Sequence, residues 1–241
     1  MTATAILGAA VFDGRTLSEG HALLLQDGLC RGVVPEAEVP AGVAARRVAG
    51  GTVLPGFVDL QVNGGGGVMV DGRIDAEGLR AVAAAHAARG TSAILPTLIT
   101  DTPANTRAVI EAGARAVAGG APGIAGLHLE GPHIAPARKG AHDPALIRPM
   151  GPEDEALLVE AAARLPNLMV TLAPEAAPPA QIGRLAQAGV IVSLGHSDCG
   201  FDAALAAIAA GAARVAPLFN TVSQRGSREP GRGGAASAAG A

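Results

Sequence analysis

The sequence has no tryptophan, no tyrosine and only 4 phenylalanines in 241 residues, so its core must be built from aliphatic side chains. The same scarcity removes the aromatic platforms on which proteins stack single-stranded nucleic acid. Lysine occurs only as Lys139, and the formal net charge is −3, so the chain lacks the basic surface that DNA binding requires. We therefore expect no nucleic-acid partner.

Long apolar runs and closely spaced cysteines are also missing. No uncharged run reaches the roughly 18 residues of a membrane span, although the chain is 49% hydrophobic, a composition that argues against a disordered chain. The N-terminus lacks the basic segment of a secretory signal. Cys30 and Cys199 have no metal-binding spacing and are expected to be reduced thiols. These features predict a cytoplasmic protein with no membrane partner.

The chain has two regions with different sequence patterns. Residues 1–50 contain short extended segments broken by turn residues, which predict a small β subdomain. Over residues 51–224, apolar runs alternate with alanine-rich helical stretches, as in parallel α/β sheets. The predicted strands are Val53–Val62, Ala93–Ile99, Gly126–Leu129, Leu168–Leu172, Val190–Leu194 and Ala213–Phe219. The predicted helices are Ala76–Arg89, Pro103–Val117, Pro152–Leu165, Pro178–Ala188 and Phe201–Ala210. Residues 225–241 are a low-complexity tail.

Polar residues that follow the predicted strands distinguish two possible α/β architectures. They are Gln61, Asn63, Thr97, Thr100, Glu130, Glu175, His196 and Asn220. A TIM barrel builds its active site from the ends of several strands, whereas a doubly wound sheet binds its ligand at one switch point. We therefore predict an α/β fold, an incomplete TIM barrel of about six strands, because a complete barrel takes about 250 residues.

Four segments could carry chemistry, and each also has a purely structural interpretation. Asn63–Gly67 could cradle a phosphate or be a flexible loop. Glu130, at a strand end, suits metal ligation or base chemistry, and equally a solvated loop. His196 alone is more often structural, but with Glu130 it would form part of a zinc site. Arg138–Asp143 could hold an anionic substrate or be a solvated loop.

A series of short motifs runs through the chain in a fixed order: Pro55–Gly67, Gly126–Pro132, Lys139–Pro144, Leu172–Glu175, Ser193–Ser197 and Leu218–Gly231. Together they resemble the N-acetylglucosamine-6-phosphate deacetylases of the amidohydrolase superfamily, over about residues 5–231. The resemblance implies a TIM barrel with a small β sandwich. It also implies metal-dependent hydrolysis of N-acetyl-D-glucosamine 6-phosphate to glucosamine 6-phosphate and acetate, a step of aminosugar catabolism.

The resemblance also implies roles for individual residues. Glu130 and His196 match metal ligands, and Gln61 would contact the ion through water. Gln61 and Asn63 stand where other amidohydrolases carry a His-x-His pair. One divalent ion is implied, zinc or else iron, cobalt or manganese. The implied substrate contacts are Ala141, His142, Asn220, Thr221 and Arg228. Among these, His142 would polarise the acetamide carbonyl, and Arg228 would contact the phosphate across a homodimer.

Two departures from the family pattern predict impaired activity. Pro217 stands where the family has its third metal-binding histidine, and proline has no side-chain donor, so the ion would be weakly held. The family's general-base aspartate has no counterpart in the sequence, as expected of a C-terminally truncated enzyme. The alternatives are a non-catalytic remnant that at most binds sugar phosphate and a dihydroorotase-like amidohydrolase. The absence of a His-x-His pair counts against the second alternative.

Overall fold

The computed structural model describes residues 3–216, which belong to two compact units. The first unit extends to Gly56, and the second begins at Phe57. The domain division at residue 50 stays a prediction. The predicted tail, residues 225–241, lies outside the described residues.

The first unit is made of short strands, which confirms the predicted small β subdomain. Its strands are β1 (Ala3–Leu7), β2 (Ala10–Phe12), β3 (Leu17–Ser18), β4 (His21–Gln26), β5 (Leu29–Pro35), β6 (Ala44–Arg47) and β7 (Thr52–Val53). They form one sheet in the order β5-β4-β1-β6 and a second in the order β3-β2-β7. Its small core contains the buried side chains of Ala5, Leu7 and Ala22, in keeping with the aliphatic composition.

The second unit contains a six-stranded parallel sheet. Its strands are β8 (Phe57–Val62), β9 (Gly64–Gly65), β10 (Val68–Met69), β11 (Thr91–Leu98), β12 (Leu127–Glu130), β13 (Leu168–Leu172), β14 (Ile191–Leu194) and β15 (Arg214–Val215). The sheet order is β15-β14-β13-β12-β11-β8, with every neighbouring pair parallel, while β9 and β10 form a separate hairpin.

The strand order decides between the two architectures. Each strand of the sheet lies next to the one that precedes it in the chain, always on the same side. A doubly wound sheet would reverse direction at its switch point. The predicted incomplete TIM barrel of six strands is therefore confirmed.

Within residues 3–216, five α-helices connect the strands of the parallel sheet, and all five predicted helices are present, four of them from the predicted first residue, with last residues that differ by one or two positions. They are α1 (Ala76–Ala87), α2 (Pro103–Ala118), α3 (Pro152–Arg164), α4 (Pro179–Gln187) and α5 (Phe201–Ala209). Proline at the first helical position loses no hydrogen bond, because the N–H of any residue at that position has no partner within the helix. In the part of the chain that the structure describes, no helix has the length and apolarity needed to cross a bilayer.

One predicted strand is in fact two separate strands. The run Val53–Val62 is divided between β7, which belongs to the first unit, and β8, which starts only at Phe57. Pro55 lies in the interruption, and proline cannot donate a ladder hydrogen bond. The last predicted strand, Ala213–Phe219, is present as Arg214–Val215, and its remaining residues from position 217 lie outside the described part.

The main core lies between the sheet and its helices and is aliphatic, as the composition predicts. Leu127, Leu168 and Leu185 are fully buried there, and full burial of such a side chain contributes about 1.5–3 kcal/mol. Gly113 lets α2 lie close to β12, because a Cβ at that position would stand 2.4 Å from Cδ1 of Leu127. This packing holds β12, which carries Glu130, in a fixed place.

Candidate metal centre

Strand β12 turns its polar side chains toward one face of the sheet. Leu127 and Leu129 belong to the core under the helices, and side chains alternate along a strand, so His128 and Glu130 share the opposite face. His128 is fully buried and bridges two neighbouring strands. Its Nε2 lies 2.8 Å from the hydroxyl of Thr171, and its Nδ1 lies 3.3 Å from the hydroxyl of Thr97. This polar layer lies one step below Glu130.

The carboxylate of Glu130 is the centre of the site. It is buried, and its Oε1 accepts a hydrogen bond from Nε2 of Gln61 at 3.0 Å. The same oxygen lies 3.0 Å from Nε2 of His196. Burial alone would raise the pKa of this carboxyl, but the contact with His196 and the nearby imidazoles outweigh it, so the pKa is below its usual value. Glu130 is therefore a carboxylate at neutral pH.

Glu130, His142 and His196 each bring one ligand atom into a group whose members lie within 4.8 Å of one another. All three residues are buried. One carboxylate and two imidazoles are donors that zinc and similar divalent ions accept. The group is therefore able to hold a metal ion, and sequence reasoning had joined only Glu130 and His196 as ligands.

The surroundings of His196 leave its inner nitrogen available. Nδ1 lies 2.9 Å from the backbone carbonyl of Arg138, which can only accept, so Nδ1 carries a proton. In the neutral ring, Nε2 then presents a lone pair toward the Glu130 carboxylate. Two such electron-rich atoms repel each other unless a cation or a second ring proton lies between them. This donor pair therefore fits a metal ion.

His142 is held in the opposite way. The backbone N–H of Thr100 donates to its Nδ1 at 3.2 Å, and the Thr100 hydroxyl lies 2.6 Å from the same nitrogen. Because Nδ1 accepts, the ring proton is on Nε2, 3.9 Å from Oε2 of Glu130. Burial, followed by the neighbouring His196, lowers the pKa of His142 to about 4. His142 is therefore a neutral hydrogen-bond donor that faces the centre.

The structure brings together some of the predicted site residues. Glu130, Gln61, His142 and His196 meet at the centre, and Gln61 contacts Glu130 directly through its amide nitrogen. Ala141 is exposed beside His142. Pro217, Asn220, Thr221 and Arg228 lie outside the described residues.

Sequence reasoning did not assign the groups that support the centre. Thr100 orients His142, while Arg138 and Glu175 contact the turn that carries His196, through His196, Ser197 and Asp198. Thr100 and Glu175 had been noted only as polar residues after strands, and Arg138 only as part of a possible anion-binding segment. Their position at the carboxyl edge of the sheet was the available signal, because side chains from different loops converge there.

Comparison with known proteins places this site in a family. Residues 52–213 match the Amidohydrolase family. The chain is 42% identical over 231 residues to the N-acetylgalactosamine-6-phosphate deacetylase of Shewanella sp. (strain ANA-3), covering 95% of this chain and 58% of the relative. It is 30% identical over 219 residues to the N-acetylglucosamine-6-phosphate deacetylase of Haemophilus influenzae, covering 91% and 57%.

Solved structures give the same result. N-acetylglucosamine-6-phosphate deacetylase from Pasteurella multocida superposes with a TM-score of 0.91 at 30% identity, covering 97% of this chain and 61% of that one. A mutant Mycobacterium smegmatis deacetylase in complex with N-acetyl-D-glucosamine-6-phosphate superposes with a TM-score of 0.85 at 32% identity, covering 97% and 60%. The chain thus spans about 46–58% of the length of its curated relatives. With a match over residues 52–213 and a buried Glu/His/His group at the strand ends, the chain belongs to the amidohydrolase family.

Proposed function

We propose that this chain carries the metal centre of an N-acetylhexosamine-6-phosphate deacetylase. The reaction hydrolyses the C–N bond of the acetamide and yields acetate and the free aminosugar phosphate, with N-acetyl-D-glucosamine 6-phosphate as the predicted substrate. The observation that carries the proposal is the opposite orientation of the two imidazoles. Nε2 of His196, which offers a lone pair when the ring is neutral, and Nε2 of His142, which carries a proton, both face the Glu130 carboxylate.

This orientation suggests how the residues divide the chemistry. Glu130 and His196 would hold one divalent ion, which when bound supplies a Lewis acid and acidifies water. Gln61 keeps the Glu130 carboxylate in place through its amide N–H. His142 donates from Nε2 to the acetamide oxygen, where negative charge develops during attack on the carbonyl. A neutral donor suits this role, because it gives up no proton before the charge forms.

The ion is proposed to be zinc, with iron, cobalt or manganese as alternatives, because imidazole and carboxylate accept all four. We propose that it is weakly held and that turnover is low, since Pro217 supplies no ligand where the family carries a histidine. Restoring that ligand with Pro217→His should tighten metal binding and raise turnover. Equal metal affinity in the two proteins would contradict this part of the proposal.

A second substrate has a specific observation in its favour. The relative that is 42% identical is named for N-acetylgalactosamine 6-phosphate, while the proteins described above that are named for the glucosamine compound are 30–32% identical. The two sugars differ only in the configuration of one hydroxyl group, so the acetamide chemistry would be the same. Parallel assays with both sugars decide which is preferred.

The direct test is acetate release from the purified chain. We expect release from an N-acetylhexosamine 6-phosphate that requires added zinc or cobalt and stops with a chelator. Absence of release with either sugar, from protein shown to contain metal, would contradict the deacetylase proposal. A thermal shift with glucosamine 6-phosphate would then support the alternative of a non-catalytic sugar-phosphate binder. Hydrolysis of a cyclic amide instead would support a dihydroorotase-like enzyme.

Two further parts of the proposal concern the setting of the enzyme. A homodimer would let Arg228 reach the phosphate of the neighbouring subunit, and sedimentation with and without substrate tests it. A cytoplasmic location is proposed because sugar phosphates are charged and do not cross membranes unaided. Fractionation of cells that express the full coding sequence tests the location.

A further inference from the structure

His196 occupies a backbone conformation that residues other than glycine adopt only uncommonly. Its φ is +45°, in the left-handed region where a side chain with a Cβ is crowded. Residues persist in such conformations only where the surrounding structure holds them. The contacts of the turn Gly195–Cys199 therefore identify what keeps this ring at the metal centre.

The segment after β12 holds one side of this turn. The N–H of Ala135 donates to the carbonyl of His196 at 2.9 Å, and Nδ1 of the ring donates to the carbonyl of Arg138 at 2.9 Å. The Arg138 guanidinium makes two hydrogen bonds to Oδ1 of Asp198, at 2.9 and 2.6 Å. Asp198, two residues after His196, thus holds the side chain of Arg138, and the Arg138 carbonyl accepts the hydrogen bond from the His196 ring.

Glu175, in the loop after β13, holds the other side. Its Oε2 accepts from the hydroxyl of Ser197 at 2.7 Å, and its Oε1 accepts from the backbone N–H of Asp198 at 2.7 Å. Ser197 is fully buried, and its hydroxyl also accepts from the N–H of Cys199 at 3.1 Å. Both carboxylate oxygens of Glu175 therefore accept hydrogen bonds from the two residues that directly follow His196.

We propose that Glu175 is a positioning residue that holds His196 in the geometry needed for metal binding. It acts through the turn Gly195–Cys199 and is not a member of the Glu130–His142–His196 group. The inference rests on the proposed function in one respect, that His196 is a metal ligand. Partners that orient a metal-binding histidine typically change metal affinity roughly 10- to 100-fold when they are removed.

The test is a titration of the metal-free chain with cobalt(II) chloride, followed by the ligand-field absorption of the bound ion. Glu175→Gln keeps the shape of the side chain but turns an amide NH₂ toward one of the two donors. We expect its Kd for cobalt to rise roughly 10- to 100-fold. Glu111→Gln is the matched control, because Glu111 also accepts two hydrogen bonds, from Arg164 on the outer helices. Its Kd should stay within about twofold of wild type.

A second measurement needs neither metal nor substrate. Long-range ¹H–¹⁵N spectra report which ring nitrogen of His196 carries a proton in the metal-free chain. We expect a protonated Nδ1 in wild type and in Glu111→Gln, and an averaged ring signal in Glu175→Gln. If Glu175→Gln does not fold, Ser197→Ala can replace it, because it removes only one of the two hydrogen bonds that Glu175 accepts. We expect the same changes in cobalt Kd and ring signal, but smaller.

The outcomes separate this inference from the proposed function. A cobalt Kd for Glu175→Gln within twofold of wild type, with the Nδ1 signal retained, would overturn the role of Glu175. Wild-type protein that binds cobalt but releases no acetate would contradict the deacetylase proposal alone. Should wild type bind no cobalt, the proposed metal site is contradicted, and the ring spectrum by itself decides whether Glu175 holds His196.

Discussion

The backbone N–H of Thr100 donates to Nδ1 of His142, 42 residues further along the chain, and so places the ring proton of His142 on Nε2. A backbone N–H cannot accept, so the direction of this hydrogen bond is unambiguous. His196, at the same centre, has its proton on the other nitrogen, which donates to a carbonyl. The ring centroids of the two histidines lie 4.5 Å apart, and the two rings are thereby suited to the different tasks proposed for them.

Substitution of the two histidines should separate these tasks. Because His142 presents a donor, His142→Gln should leave the cobalt Kd within about threefold of wild type and lower acetate release roughly 10²- to 10³-fold. His196→Gln removes a ligand and should weaken cobalt binding by more than about 10-fold. Isothermal titration and an acetate assay check both effects. A loss of cobalt affinity in His142→Gln equal to that in His196→Gln would make His142 a third ligand.

The hydroxyl of Thr100 should matter for rate more than for binding. Thr100→Val keeps the backbone N–H that sets the ring proton but removes the shorter contact of 2.6 Å to Nδ1. We expect kcat to fall about 10-fold with little change in KM, because the donor is less well aligned with the developing charge. Thr100→Ser retains the hydroxyl and should stay near wild type. Equal rates in the valine and serine variants would show that the backbone contact suffices.

Gly131 should be intolerant of a side chain for two separable reasons. Its φ is +81°, and a Cβ there would stand 2.1 Å from the hydroxyl oxygen of Thr100. Gly67 has a φ of +83° and nothing within 4 Å of its Cβ position, so Gly67→Ala measures the backbone strain alone, about 1–2 kcal/mol. Gly131→Ala should lose more unfolding free energy than Gly67→Ala in urea titrations, and the His142 ring signal should shift. Equal losses would mean that Thr100 moves aside freely.

Buried histidines should make the metal-free chain sensitive to mild acid. Burial lowers the pKa of His128 to about 4, compared with 6.5 for an ordinary histidine. Between these pH values the unfolded chain binds more protons than the folded chain. The contribution of His128 to the unfolding free energy is therefore fully present above pH 6.5 and decreases as the pH falls toward 4. For this ring alone the decrease is about 2 kcal/mol between about pH 7.5 and 5.

Urea titrations at these two pH values check the prediction for His128. The variant His128→Gln should show a smaller decrease than wild type by about the same amount. His133 and His142, whose pKa values burial also lowers, should retain their part of the acid sensitivity. An unchanged decrease in His128→Gln would show that His128 is not the ring responsible.

Much of the barrel could be predicted because its signals are local. Prolines such as Pro103 and Pro152 begin helices, and each apolar run marks a buried strand, so all five helices and six strands are found in the second unit. The error at Val53–Val62 arose because hydrophobicity continues across Pro55, where the backbone cannot. Glu130 and His196 could be paired because the carboxyl ends of parallel strands meet at one edge of the sheet.

The remainder of the site depends on contacts that leave no periodic pattern. His142 lies in the long segment between β12 and α3, and its direction is set by Thr100, which belongs to a different loop. Glu175 likewise reaches Ser197 across 22 residues. Such loop conformations are determined by tertiary hydrogen bonds, so residue types alone show which groups are present but not which nitrogen of a ring faces inward.

The polar layer formed by Thr97, His128 and Thr171 constrains how this protein can change over generations. Replacing His128 with an aliphatic residue would leave the Thr171 hydroxyl buried and without its imidazole partner, which typically costs about 1–3 kcal/mol. The loss would be avoided only by a simultaneous apolar exchange at position 171. We therefore expect related sequences either to conserve these positions together or to substitute them together. A lineage in which this layer has become apolar should show exchanges at several of the positions, not at one alone.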